Sequence, residues 1–221
     1  MKVACFIPIK AFSERVKGKN FRIIGDKPLY AIIIDKAIKA DCFDEIYVDT
    51  NSSEIEQYAI DQGASVISRK EELAQNSANG NDLLLHHYRL KPDFDYYFQL
   101  FATAPLMKVS TIRECVNSLI STQKYDSVFT ALQHNGFFWW NNQPVNYQPV
   151  VLPRSQDLVP VIEETTAIYG IQSKALERFH SRIGSKPLII TVPKSEAIDL
   201  NIEEDFDYAN WLVERGIASV T

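Results

Sequence analysis

Residues 3–20 read VACFIPIKAFSERVKGKN, an apolar run followed at once by a cationic loop. Val3 to Ile7 have the composition of a parallel strand covered by helices on both faces, at the centre of a sheet. The loop after it carries Lys10, Ser13, Arg15 and Lys19, and Gly18 can supply a tight bend and accessible backbone N–H groups. Open parallel sheets bind their ligands beyond the carboxyl ends of the strands, so this loop falls on the ligand side. From Lys10 to Lys27 six cations (Lys10, Arg15, Lys17, Lys19, Arg22, Lys27) face two anions, Glu14 and Asp26. The whole chain has a net charge of -5, which argues against general nucleic-acid affinity, so the local excess of positive charge points to a small polyanion. Lys17, Arg22 and Lys27 read better as surface charges than as ligands.

Outward from this stretch, strand and helix patterns alternate. Leu29, Ile32, Ile33 and Ala37 recur at helical spacing and predict a helix from about Pro28 to Ala40. The expected order continues with a strand at 45–49, a helix at 53–62, a short strand at 65–67, a helix at 81–90, a strand at 96–100, a helix at 110–122 and a strand at 127–132. After an irregular stretch the order resumes with a strand at 166–172, a helix near 174–180, a strand at 188–192 and a final helix at about 203–215. This is the rhythm of an α/β three-layer sandwich around a mostly parallel, Rossmann-like sheet. Residues 134–162, with Pro144, Pro149, Pro153 and Pro160, break the rhythm and read as an excursion or subunit arm from a single domain. With 221 residues and 46% hydrophobic content, one core and one active site are expected. Cys5, Cys42 and Cys115 are far apart and form no CxxC pair, so they read as small core residues. No apolar run is long enough for a membrane span, and the first residues enter a strand without a cleavage site, so a cytosolic protein with no membrane partner is expected. Adjacent His86 and His87 point about 100° apart on a helix and read as surface and core, not as a metal pair.

The chain has neither a GxxxxGK[ST] nor a GxGxxG motif, so phosphates must be held another way. Ile7, Pro8, Ile9, Lys10, Ser13, Arg15, Lys19 and Asn20 resemble the pattern I-P-A-R-x-x-S-x-R-x-x-x-K-N of the N-acylneuraminate (CMP-sialic acid) cytidylyltransferase family. The resemblance extends along the chain. RKEELAQNSANG, residues 69–80, is similar to the family's R-P-x-E-L-A-x-D-x-A, which implies that Arg69, Ala78 and Gly80 join Asn20 around the cytosine and ribose. ATAPL, residues 102–106, resembles P-T-S-P-L and places Thr103 near the sugar. Arg154, Gln156, Asp157, Glu163 and Tyr169 fall on R-x-Q-D…E…Y, near the acidic sugar. AIDLNIEEDF resembles I-D-I-D-T-x-x-D-F, whose first two aspartates hold magnesium, here Asp199 and Asn201.

Three departures stand out. Lys10 replaces an arginine, exchanging a bidentate fork for a point charge on phosphate. Phe101 replaces a glutamine that faces the sugar, so an amide donor and acceptor are lost. Asn201 replaces the second metal aspartate; it reads either as a neutral Mg²⁺ ligand or, more simply, as the N-cap of the last helix with Glu204 completing a capping box.

The resemblance implies transfer of CMP from CTP to a nonulosonic acid such as a sialic, pseudaminic or legionaminic acid, with release of pyrophosphate. Lys10, Arg15 and Lys19 would hold phosphates and Asp199 would hold Mg²⁺, with Lys10, Lys19 and Asp199 carrying the chemistry. A 3-deoxy-octulosonate-like acceptor, with Phe101 as its motive, and a non-catalytic nucleotide-binding homologue, with Asn201 as its motive, are the alternatives. The family dimerises through a projection from the region of the excursion, so the resemblance implies a homodimer in which Arg154 and Gln156 approach a shared pocket. Arg154 is equally readable as an exposed loop cation. The aromatic run Phe137, Phe138, Trp139 and Trp140 fits a dimer contact better than sugar stacking.

Overall fold

A computed structural model describes residues 1–13, 15–70 and 78–221. The chain runs through β1 (Val3–Ile9), a hairpin of β2 (Ile23–Ile24) and β3 (Lys27–Pro28), α1 (Leu29–Ala40), β4 (Glu45–Thr50), α2 (Ser53–Asp61) and β5 (Ser65–Ser68). It continues with α3 (Gly80–Leu90), β6 (Tyr96–Leu100), α4 (Val109–Ile120), β7 (Ser127–His134) and a small hairpin of β8 (Trp139–Trp140) and β9 (Gln143–Pro144). It ends with β10 (Val161–Gln172), α5 (Ser173–Phe179), β11 (Pro187–Thr191) and α6 (Glu203–Glu214).

Seven strands form one sheet in the order β11-β7-β10-β6-β1-β4-β5. β1 is central and pairs in parallel with β4 and β6, and β4 with β5. β10 alone runs against its neighbours, between β6 and β7. The chain winds outward from β1 to β5, then returns to β6 on the other side of β1. That reversal opens a crevice at the carboxyl end of β1, where the cationic loop emerges.

The alternation of side chains along β1 builds both layers of the core. Val3, Cys5, Ile7 and Ile9 face the layer of α1, α4 and α6, where Ile33, Ile112, Cys115 and Phe206 are buried. Ala4 and Phe6 face Leu84 of α3 and Leu176 of α5.

Lys36 is fully buried in this otherwise apolar packing. Its ammonium donates to the carbonyls of Pro105 at 2.6 Å, Met107 at 2.9 Å and Ser219 at 3.0 Å, tying α1 to the loop after β6 and to the C-terminal tail. Lys36→Met fills the same space but leaves three carbonyls without this donor. We expect a loss of about 2–3 kcal/mol of stability, read as a lower midpoint in denaturant at unchanged slope. An unchanged midpoint would make the three bonds dispensable.

The structure alters the sequence reading at four places. Pro28 is extended and precedes α1, which starts at Leu29. The hairpin of β2 and β3, with Gly25 at φ +64° between them, lay in a stretch read only for its charge. The ends of the excursion are strand: Val161 to Glu164 pair with His134 to Ala131, prolonging β7 and β10 beyond the sheet. A solvated ribbon need not alternate polar and apolar residues, and Glu163-Glu164-Thr165-Thr166 does not. A bulge between Glu164 and Tyr169, with Thr166 at φ +53°, joins this ribbon to the sheet-bound half of β10. Finally, Asn201 is not the cap of the last helix. Ile202 occupies that position, and the Asp205 carboxylate accepts from the backbone N–H groups of Asn201 at 2.7 Å and Ile202 at 2.9 Å. An acid at the third helical position satisfies the exposed donors better than Glu204 could, one residue earlier.

Candidate active site

A cleft of about 370 Å³ opens at the carboxyl end of β1. One wall is the loop leaving that strand, from which Lys10, Ser13, Arg15, Lys19 and Asn20 line the space. Gly18 adopts φ +64° and turns the chain into a single 3₁₀ turn, Lys19–Phe21. The left-handed bend is open to glycine at no steric cost, and it brings Lys19 and Asn20 back under the loop. The Asn20 amide donates to the Lys10 carbonyl at 2.7 Å, and Asn51 accepts from the Ala11 N–H at 2.8 Å. The loop is therefore braced at both ends before any ligand arrives. Of the remaining cations in the segment, Arg22 pairs with Glu203 and lies over Phe206, Lys27 pairs with Asp35, and Lys17 is exposed.

Lys19 is 5% exposed, and its ammonium donates to the Leu200 carbonyl. Burial, then the neighbouring Arg15, lower its pKa from the ordinary value, against the opposite pull of Asp199 and Asp205. The contact ties Lys19 to the 199–201 segment, which lies behind the lysine; Asp199 and Asn201 do not themselves line the cleft. In that segment Asp199 Oδ2 accepts from the Asn201 side-chain amide at 2.7 Å, while Oδ1 is buried without a hydrogen-bond partner among the described residues. A buried carboxylate oxygen left in this state favours a cation or donor brought by a ligand. Asn201 donates to Asp199 here, which orients the carboxylate. Among the described residues no cluster of three or more His, Cys, Asp or Glu could hold a metal by itself. One carboxylate next to a cationic loop nevertheless fits Mg²⁺, which keeps several waters and takes much of its shell from phosphates where these are present.

The second wall carries Arg69, Ala78, Asn79, Gly80 and Leu83. Residues 71–77 of the RKEELAQNSANG match lie outside the described residues. Arg69 is held from behind: Nε donates to Asp49 Oδ1 at 3.0 Å, and Nη2 donates to Oδ2 and to the Asp49 carbonyl, each at 3.1 Å. His87 Nε2 meets the same Oδ2 at 2.8 Å, and its ring, 0% exposed, stacks on Phe6. Burial works to raise the Asp49 carboxyl, but the bonds from His87 and Arg69 prevail and hold it below the ordinary carboxylate range. α3 begins at the cleft rim with a capping box, the Asn79 side chain accepting from Asn81 and Asp82 N–H groups and Asp82 accepting from Asn79.

Phe101, Ala102 and Thr103, just past β6, close the far end. Here the structure adds a residue that no motif indicated. Arg182, in the loop after α5, lines the cleft with its guanidinium over the Tyr169 ring, 3.6 Å from the centroid, and 5.7 Å from that of Phe101. An isolated arginine in RIGSKP gives no sequence signal of this placement. Tyr169 is buried below it and donates to Glu164 at 2.6 Å, so it reaches the cleft through Arg182.

Arg154, Gln156 and Glu163 do not line this cleft within one chain. Arg154 is exposed and pairs with Asp157, Gln156 is exposed, and Glu163 pairs with His134 on the ribbon. The same excursion exposes Trp140 at 74% and Val150 at 96%, together with Trp139 and Leu152. Among the described residues no helix is long and apolar enough to cross a membrane.

Comparison with known proteins follows the same outline. The chain is 37% identical over 229 residues to the CMP-N,N'-diacetyllegionaminic acid synthase of Legionella pneumophila, covering 97% of each protein. It is 26% identical over 221 residues to N-acylneuraminate cytidylyltransferase A of Danio rerio, covering 96% of this chain and 51% of that protein. It thus spans about half the length of the N-acylneuraminate cytidylyltransferases it matches. A solved structure of CMP:2-keto-3-deoxy-manno-octonic acid synthetase complexed with CTP shares the fold, with a TM-score of 0.70 at 15% identity over 98% of this chain and 100% of that one. A family model described as cytidylyltransferase matches residues 4–182, from the second residue of β1 to Arg182 on the cleft wall. The chain belongs to the cytidylyltransferase family.

Proposed function

We propose that the protein transfers CMP from CTP to a nonulosonic acid and releases pyrophosphate, as a homodimer acting in the cytosol with Mg²⁺. The observation that carries this reading is the convergence of Lys10, Ser13, Arg15, Lys19 and Asn20 with Arg69 and Gly80 around one cleft at the switch point of the sheet. Lys10, Arg15 and Lys19 bind the triphosphate, and Arg69, Ala78, Gly80 and Asn20 surround the cytosine and ribose. The name of the Legionella relative makes a legionaminic-type acid the leading candidate in the sialic, pseudaminic and legionaminic group.

In this reaction the anomeric oxygen of the acceptor forms a bond to the α-phosphorus, the bond from that phosphorus to the bridging oxygen breaks, and the hydroxyl proton is lost. The protein's part is to place two anions side by side and to stabilise the charge on the phosphoryl oxygens. Lys19 is suited to this because it is already desolvated and fixed to the Leu200 carbonyl, so little reorganisation accompanies the transfer. Asp199 would hold Mg²⁺ through its unpartnered oxygen, with Asn201 orienting the carboxylate or adding its amide oxygen. When bound, the ion neutralises and aligns the phosphate oxygens. Phe101 and Thr103 border the acceptor, and Tyr169 acts on it through Arg182. Arg154, Gln156 and Glu163 serve a site shared across the dimer, which the exposed apolar residues of the excursion support.

The test is pyrophosphate release from purified protein with Mg²⁺ and CTP, UTP, ATP or GTP, across sialic, pseudaminic, legionaminic and 3-deoxy-octulosonic acids. Release with CTP and one nonulosonic acid is expected. Release only with 3-deoxy-octulosonate would move the acceptor to that class, consistent with the apolar Phe101 edge. CTP binding without turnover on the whole panel would favour a non-catalytic homologue. Light scattering on the eluting protein should give twice the chain mass of 25.2 kDa.

A further inference from the structure

We infer that Arg182 receives the carboxylate of the acceptor sugar acid within the same chain that binds the nucleotide; this rests on the transferase reading above. The cleft straddles the central strand. Its phosphate loop and Arg69 belong to the β1, β4 and β5 half of the sheet. On the β6 and β10 half, Arg182 is the cation among the described lining residues. The proposed reaction brings two anionic substrates together, a triphosphate and a carboxylate, and the cations fall into two matching groups.

The setting of Arg182 is built. Its guanidinium stacks on Tyr169, a ring that is itself buried and anchored by the hydrogen bond to Glu164. With Cζ held 3.6 Å from the ring centroid and the residue lining the cleft, the guanidinium offers a fork of N–H donors of the kind that recognises a carboxylate through two parallel bonds. Glu164 Oε2 lies 3.9 Å from Nη2, an ion pair too long to be a hydrogen bond, and among the described residues no hydrogen bond uses the guanidinium. The carboxylate of Glu164 thus balances part of the charge while the donors stay unused. The backbone of the same residue is tied down, the Arg182 N–H donating to Asn81 at 2.9 Å. Gly80 makes room for the side chain: a β-carbon there would fall 2.5 Å from Nη1. The glycine at the nucleotide wall and the arginine at the acceptor wall are therefore in contact, which sets the carboxylate subsite directly beside the nucleotide subsite.

The experiment compares wild type with Arg182→Gln and Arg182→Lys in steady-state pyrophosphate release, using the best acid from the panel and its carboxamide analogue, with CTP affinity measured separately by calorimetry. Arg182→Gln is expected to raise the acceptor KM by about tenfold to a hundredfold, the scale of a lost charge-assisted bond pair. Its preference for the acid over the carboxamide should fall by a similar factor, and its CTP affinity should stay within about twofold of wild type, which also certifies the fold. Arg182→Lys keeps the charge without the fork and should lose less than the glutamine variant. An acceptor KM and an acid preference unchanged in Arg182→Gln, or a CTP affinity that falls as far as the acceptor KM rises, would overturn the inference alone. Wild-type protein that releases no pyrophosphate with CTP and any acid would overturn the transferase reading and this inference with it.

Discussion

Asp199→Asn is expected to slow pyrophosphate release with CTP by on the order of a hundredfold to a thousandfold at saturating Mg²⁺, the scale of losing a preorganised charge contact to a transferring phosphoryl group. The substitution is nearly isosteric. The Asn201 amide that donates to Oδ2 at 2.7 Å still finds an acceptor if the new side-chain oxygen takes that position, so the local backbone is not required to move. What disappears is the negative charge at the buried Oδ1, which has no hydrogen-bond partner among the described residues. Lys19 would feel the change as well, because Asp199 is one of the two carboxylates that support its charged form against burial and Arg15. The rate and the Mg²⁺ concentration for half-maximal rate should therefore both worsen, while thermal stability stays within about 1 kcal/mol of wild type. Wild-type turnover with an unchanged Mg²⁺ dependence would remove Asp199 from the metal role.

The largest stability effect is expected from Asp49→Asn. Asp49 accepts from Arg69 through both carboxylate oxygens and meets His87 Nε2 at Oδ2, and all three side chains are buried. Neutralising the aspartate leaves a buried guanidinium without its counter-charge, a change that costs about 3–5 kcal/mol. The effect should depend on pH in a defined direction. The folded Asp49 carboxyl sits below its ordinary value, so the stabilisation is present above the unfolded pKa of about 3.9 and is lost as pH falls through the folded one. The gap between wild type and variant in denaturant titrations should be widest at neutral pH and close in acid. Because Arg69 lines the cleft from this anchor, CTP affinity should fall too. A gap of constant size from neutral pH into acid, or CTP binding that survives intact, would break the proposed link from His87 through Asp49 to Arg69.

How much of this was legible beforehand follows from where the information lies along the chain. The central strand announced itself in Val3 to Ile7 because a strand buried on both faces needs no polar residue. The helices appeared through their apolar spacing. The cationic wall of the cleft was readable because its residues sit within one loop of contiguous sequence, and because parallel sheets place such loops on the ligand side. Arg69, Ala78 and Gly80 were identified by resemblance, and the cleft gathers them.

Other features depend on residues that share no segment. Asp49, Arg69 and His87 come from β4, the residue after β5 and α3, and nothing in the sequence links the three to one another. Only the packing of those elements makes a desolvated, mutually satisfied cluster of them. The antiparallel course of β10 was hidden for a similar reason: local sequence specifies that a segment is extended, while its direction is decided by which neighbours cover it. The cap at α6 turned on one acid competing with another one residue away, a choice settled by the geometry of the helix entrance. By itself the sequence determined the layered α/β architecture, the end of the sheet at which the cleft opens and the cationic loop that lines it, because periodicity and loop chemistry are local. Tertiary structure alone decided that Arg182 crosses to Tyr169 and Gly80, since a long side chain acquires its role from the surfaces that the folded chain brings around it.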